Sequence, residues 1–283
     1  MLDRSLMLTV VQAALLEDAP TGDITSRLAI PAEANAVALL AAREPGVFAG
    51  ADVFAAAFTL TDPSVQIELL KHDGDLFAAG DALARVTGPA RAVLTGERVG
   101  LNFVQRMSGI ATLTAKYVDA IAGTNAVILD TRKTTPTLRA FERHAVVCGG
   151  GRNHRFSLSD AFMAKDNHLA VLTAGGLDIT TELQRVKAQL PEGMMFEVEV
   201  DRLDQIEPVL DGGVTVIMLD NFSLADLRTG VARVAGRAKV EASGGVNLET
   251  VRAIAETGVD FISVGALTHS ARALDLGLDI EIS

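Results

Sequence analysis

Residues 194–221 read MMFEVEVDRLDQIEPVLDGGVTVIMLDN. Two apolar runs, MMFEVEV and VTVIML, flank a stretch with helical spacing, RLDQIEPVL, and Gly212 stands where a helix can close. A strand, a crossover helix and a strand returned to the same edge make a parallel βα unit. The alternation continues in both directions. Strand runs occur in AVILDTRK, DAFMAK, AKVEASGG and DFISVGAL, and helical stretches in TLRAFERHAVV, LDITTELQRVKAQL, SLADLRTGVARV and NLETVRAIAETG. Ser223 and Asn247 are placed to cap helix starts, and Gly258 to close an end. From about residue 126 the chain therefore reads as an α/β domain with a parallel sheet.

Each strand run is apolar through its body and ends in groups capable of chemistry. Asp130, Arg132 and Lys133 end the first; Lys165 and Asp166, Glu199 and Asp201, Asp220 and Asn221, then Glu241, Ser243 and Gly244, and finally Gly265 end the others. In a (β/α) barrel all these ends converge on one face. An open doubly wound sheet also binds its ligands beyond the strand C-termini. Six strand runs fall short of the eight or so of a full barrel, so the residues alone leave an incomplete barrel and an open sheet both standing.

The first 110 residues lack the βα repeat. An amphipathic opening helix is followed by VALLAAREPGVFAG, the helix ADVFAAAF, the strand VQIELL, the turn-rich HDGDLFAAGDALARVTG and the long helix ARAVLTGERVGLNFVQRMSG. This is an α+β domain, and with no low-complexity linker the junction near Ser108 to Thr114 is expected to be packed.

Composition narrows the function. A net charge of −11 argues against binding nucleic acid or an anionic membrane surface, and no apolar run reaches membrane-spanning length. The N-terminal stretch carries acids in an amphipathic pattern rather than a basic leader. The single cysteine, Cys148, allows no internal disulfide, which fits a cytoplasmic enzyme, and a packing role is expected for it. Charge is uneven, however. Between Asp130 and His168 seven Lys and Arg outnumber four acids, a surplus of three that leaves −14 on the rest. A basic island in an acidic chain fits a polyanionic ligand.

Within that island, DTRKTTP sets Arg132 and Lys133 at a strand end, suited to phosphate or carboxylate. GGGRNHRF puts His154 and Arg155 after three glycines that permit close approach to a ligand. In AKDNH, Lys165 ends a buried strand and requires an anionic partner. SGG at Ser243 to Gly245 and VGA at Val264 to Ala266 are small residues at strand ends, a pairing found in barrel phosphate sites. The histidines are expected to lack a second metal ligand at helical or hairpin spacing.

Taken in order, GDIT (Gly22 to Thr25), GERVGLNFVQRMSGIAT (Gly96 to Thr112), DTRKTTPTLR (Asp130 to Arg139), CGGGRNHRFSLSDAFMAKDNHL (Cys148 to Leu169), EVEVD, LDNF, EASGGV and SVGALTHS resemble the quinolinate phosphoribosyltransferase family over essentially the whole chain. The resemblance implies an incomplete (β/α) barrel over 111–267 and an α+β sandwich domain over 1–110 that 268–283 rejoins. It implies that quinolinate and phosphoribosyl pyrophosphate are the substrates, and that Arg132, Lys133, His154, Arg155 and Lys165 grip their carboxylates and phosphates, with Lys133 catalytic. Glu199 and Asp220 are implied as the carboxylates beside the donor's ribose, near Mg²⁺ carried mainly by substrate. Glu241, Ser243, Gly244, Gly265 and Ala266 are implied at the substrate site, the last four around the 5-phosphate. Arg98 is implied to reach the neighbouring active site of a homodimer. The sequence departs from the family at His144, where tyrosine is frequent, and at Ser157, Ser159 and Ala164; none of these removes a charged site residue. The rival readings are a nicotinate-acting or molybdate-transport-associated relative, and a non-catalytic phosphate-binding protein.

Overall fold

A computed structural model describes residues 2–283. In chain order the first elements are α1 (Arg4–Asp18), α2 (Ile24–Ala29), β1 (Asn35–Ala42), β2 (Gly46–Val47), α3 (Ala51–Thr59), β3 (Gln66–Leu69), β4 (Leu76–Phe77), β5 (Ala82–Pro89) and α4 (Ala90–Ala120). They are followed by β6 (Val127–Leu129), α5 (Arg139–Cys148), β7 (Phe162–Ala164), α6 (Asp166–Leu172), α7 (Ile179–Lys187) and β8 (Phe196–Val200). The last are α8 (Ile206–Asp211), β9 (Val216–Asp220), α9 (Leu224–Val234), β10 (Lys239–Ser243), α10 (Val251–Ala255), β11 (Phe261–Ser263), α11 (Ala266–His269) and β12 (Leu276–Ile282).

The chain divides into two compact units. One comprises residues up to Ala115 with Thr134–Gly150 and Leu267–Ser283; the other comprises Lys116–Lys133 and Gly151–Ala266. In the first, β12, β1, β5 and β3 form an antiparallel sheet in that order. Along β1, exposed and buried residues alternate, with Ala36, Ala38 and Leu40 fully buried, the period of a strand with one face on a core. GDIT proves to be a helix start: Asp23 accepts from the Ser26 amide at 3.0 Å and caps α2. The long α4 runs straight through the expected junction. A Cβ on its Gly109 would come 2.0 Å from the Arg272 carbonyl oxygen, so glycine lets the C-terminal segment pass close to the helix.

The segment 134–150 joins this first unit through buried polar contacts. Glu142 on α5, 1% exposed, accepts from Arg106 Nη2 at 2.7 Å and from Thr135 Oγ1 at 2.8 Å. Arg106 also donates to the carbonyls of Ala271, at 2.8 Å, and Thr268.

In the second unit six parallel strands run in the order β6-β11-β10-β9-β8-β7. All six strands expected from the sequence are present. Among the described residues no ladder joins β7 to β6, so the barrel is incomplete. β8 and β9 are buried on both faces, which is why they read as nearly unbroken apolar runs. Outside them α6, α7, α8, α9 and α10 pack successively side by side. The cap at Ser223 holds, since its Oγ accepts from the Asp226 amide at 3.2 Å. At the end of α8, Gly213 rather than Gly212 takes the left-handed conformation, with φ +81°.

Candidate active site

Local backbone pairing brings the first basic clusters together. After β6 the chain bends at Asp130, while the triple-glycine segment leads Arg152 back alongside the strand. The Arg152 amide donates to the Ile128 carbonyl at 2.9 Å, and the Asp130 amide to the Arg152 carbonyl at 3.1 Å. The fully buried Asp130 then accepts the His154 amide at 2.7 Å. Two motifs separated in sequence thus become adjacent. Burial lowers the pKa of Arg155, and the charge of Arg132 lowers it further. Lys133 lies exposed on the same bend, its amide donating to Thr131 Oγ1 at 3.1 Å.

His154 turns into the barrel. Its Nε2 lies 3.1 Å from Glu197 Oε2 and 3.3 Å from Glu241 Oε2, and both acids are buried. The Arg155 amide lies 2.7 Å from Nδ1, which leaves Nε2 facing the two carboxylates. Burial opposes charge on the ring, but the contacts and charges of Glu197 and Glu241 outweigh it and push the imidazole up to about 10. Burial also raises Glu197. Glu241 further accepts from Ser263 Oγ. Its place in the body of β10 makes it a support beneath His154 rather than a rim group. Sequence reasoning missed Glu197, although an acid within an apolar strand body signals a buried partner.

The strand ends carry the remaining groups. Lys165, following β7, pairs with Glu199 on β8. Asp220, ending β9, accepts from Ser243 Oγ at the end of β10 and from Asn221 Nδ2, the latter at 2.6 Å. Asn221 has φ +57° and Gly244 φ +89°, and a Cβ at Gly244 would come 2.1 Å from Asn221 Oδ1, so only glycine fits this turn. Gly244 is exposed, and Gly265 with Ala266 follows the end of β11, leaving amide-bearing backbone at two neighbouring strand ends. Arg98 belongs to the first unit, exposed on α4.

Arg132, Lys133 and Lys165 thus follow strand ends, and Asp220, held by Ser243, stands at another, at the end of a parallel sheet where ligands bind. The sequence matches two family descriptions, "Quinolinate phosphoribosyl transferase, N-terminal domain" over residues 23–108 and "Quinolinate phosphoribosyl transferase, C-terminal domain" over residues 110–279. The chain belongs to the quinolinate phosphoribosyltransferase family. Among its relatives is a Bacillus subtilis protein named probable nicotinate-nucleotide pyrophosphorylase (carboxylating), 42% identical over 268 residues that cover 95% of this chain and 91% of that one. The nicotinate-nucleotide pyrophosphorylase (carboxylating) of Mycobacterium leprae is 43% identical over 279 residues, covering 95% of each. The crystal structure of NadC from Streptococcus pyogenes superposes with a TM-score of 0.94 at 39% identity, covering 100% of this chain and 98% of that one. Membership in the quinolinate phosphoribosyltransferase family accords with the incomplete barrel. No described helix is long and apolar enough to cross a membrane.

Proposed function

We propose that this protein transfers the phosphoribosyl group of phosphoribosyl pyrophosphate to quinolinate with loss of CO₂, giving nicotinate mononucleotide and pyrophosphate for NAD biosynthesis in the cytoplasm. The observation that carries the reading is the backbone pairing that sets Arg152–His154 beside Ile128–Asp130, joining the segments that bear Arg132 and Arg155 in the barrel unit that also holds Glu199 and Asp220. These two cations suit the two carboxylates of quinolinate better than the single one of nicotinate.

In the reaction the ring nitrogen attacks C1 of the donor ribose as the bond from C1 to pyrophosphate breaks. Glu199 and Asp220 stabilise the positive charge that develops on the sugar. Arg132, Lys133, Arg155 and Lys165 hold substrate carboxylates and phosphates, and His154 is fixed from below by Glu197 and Glu241. When the bond to the adjacent carboxylate breaks and CO₂ departs, the electron pair stays on C2, stabilised by the neighbouring positive nitrogen, and a proton adds there. Ser243, Gly244, Gly265 and Ala266 receive the 5-phosphate.

Glu199 and Asp220 supply hard oxygen donors that suit Mg²⁺, but each already accepts hydrogen bonds from protein, so they fit a cation carried mainly by the diphosphate. When bound, Mg²⁺ neutralises charge on the departing pyrophosphate. A homodimer with Arg98 entering the partner's site completes the proposal. The test is incubation with quinolinate, phosphoribosyl pyrophosphate and Mg²⁺, with nicotinate in parallel. Nicotinate mononucleotide and CO₂ from quinolinate alone are expected; product from nicotinate, or none from either acid, overturns the reading.

A further inference from the structure

The first unit holds a cluster that the proposed reaction does not use. His144 and Cys148 stand four residues apart on α5, so both side chains lie on one face of that helix. This corrects the expectation that no histidine has a second ligand at helical spacing. Facing them is Asp73 in the turn before β4, whose Oδ2 lies 2.5 Å from His144 Nε2. The Sγ of Cys148, a ring nitrogen of His144 and a carboxylate oxygen of Asp73 all lie within 4.8 Å of one another.

The carboxylate is already oriented. Asp73 Oδ1 accepts the amides of Gly50 and Ala51 at 2.8 and 2.9 Å, at the start of α3, which fixes the plane of the group and turns Oδ2 toward α5. Hydrogen-bonded carboxylates of this kind are what metal sites use to set ligand geometry. The side chains of His144 and Asp73 retain 21% and 26% of their exposure, so an ion can enter from solvent and a water can complete its coordination. Tetrahedral Zn²⁺ needs its nitrogen and oxygen ligands about 3.3 Å apart, so the His144–Asp73 contact opens by roughly 1 Å on binding.

We propose that Asp73, His144 and Cys148 form a Zn²⁺ site with one solvent position, clipping the turn before β4 to α5. A thiolate and an imidazole select a borderline-soft ion and exclude Mg²⁺ and Ca²⁺, which take oxygen ligands, so the site is chemically separate from any Mg²⁺ used with the donor. Binding exchanges the thiol proton for the metal, releasing one proton, while the His144 ring proton moves to Nδ1 and frees Nε2 for the ion. The proposal does not depend on the enzymatic reading.

The test uses the full-length protein, stripped of metal by chelator under reducing conditions and titrated with Zn²⁺ and, separately, Co²⁺. One Zn²⁺ per chain is expected, unaffected by excess Mg²⁺, and Co²⁺ should give the charge-transfer band of a cobalt thiolate. That band distinguishes this site from the buried His154, Glu197 and Glu241, which offer no sulfur. Cys148→Ser should abolish the band. His144→Ala should weaken Zn²⁺ binding at least about a hundredfold, as should Asp73→Asn, which keeps an oxygen to cap α3. Wild-type protein that binds no stoichiometric Zn²⁺, or gives no thiolate band with Co²⁺, overturns the proposal without recourse to any variant. Wild-type affinity in the Asp73→Asn and His144→Ala proteins overturns it equally.

Discussion

His154 Nε2 lies 3.1 Å from Oε2 of Glu197, a carboxylate with no exposed surface. Burial disfavours charge here, yet the acids push the imidazole up to about 10 and Glu197 is itself raised. The folded cluster therefore binds more protons than the unfolded chain above the ordinary imidazole value of 6.5. By linkage its contribution is full below that value and is lost as pH rises through about 10. Urea unfolding between these limits should show declining stability, and Glu197→Gln should flatten the slope; an unchanged slope in the variant refutes the arrangement.

Lys133 lies exposed beside Arg132, outside the buried core. Lys133→Ala is therefore expected to keep the thermal midpoint within about 2 °C, as for a neutral surface change, while turnover with quinolinate collapses. Near-normal turnover would remove Lys133 from the catalytic role.

Gly244 combines a positive φ with an approach to Asn221 that no Cβ survives. Gly244→Ala should cost about 1–3 kcal/mol of stability and displace Asn221 from Asp220. Because that turn is proposed to receive the 5-phosphate, KM for the donor should rise more than KM for quinolinate. Steady-state kinetics with each substrate varied in turn would detect the asymmetry.

The pairing of Arg106 with Glu142 is mostly sheltered. Arg106→Met leaves a buried carboxylate with only Thr135 and takes a donor from two carbonyls, so a loss of about 3 kcal/mol is expected. Chemical denaturation would measure it, and a loss below about 1 kcal/mol would mean that Thr135 alone satisfies Glu142.

The barrel strands were legible because burial on both faces writes an unbroken apolar run, and the rim was legible because charge follows each run directly. Local chemistry hid other features. The strand β5 was lost among the turn residues of HDGDLFAAGDALARVTG, and α6 begins inside AKDNH, where the eye stops at a strand end. Glu197 shares a face with Glu199, two residues on, but only the return of the glycine segment beside β6 reveals that His154 is its partner. His144 and Cys148 carry helical spacing in the sequence. Asp73, which gives that spacing meaning, comes from a turn far upstream.

Because β12 pairs with β1 along its length, a segment that follows the whole barrel unit in the chain completes a sheet that the chain begins before it. Until Leu276–Ile282 arrives, one edge of β1 lies open with its main-chain groups unsatisfied. The barrel unit, by contrast, is encoded entirely before Leu267. The sheet of the first unit is thus closed by residues encoded after the barrel unit, and the edge of β1 stays open to other strands in any species that lacks Leu276–Ile282. Deleting Leu276–Ile282 should therefore leave the barrel unit whole and expose the edge of β1, so the deletion should surface as aggregation.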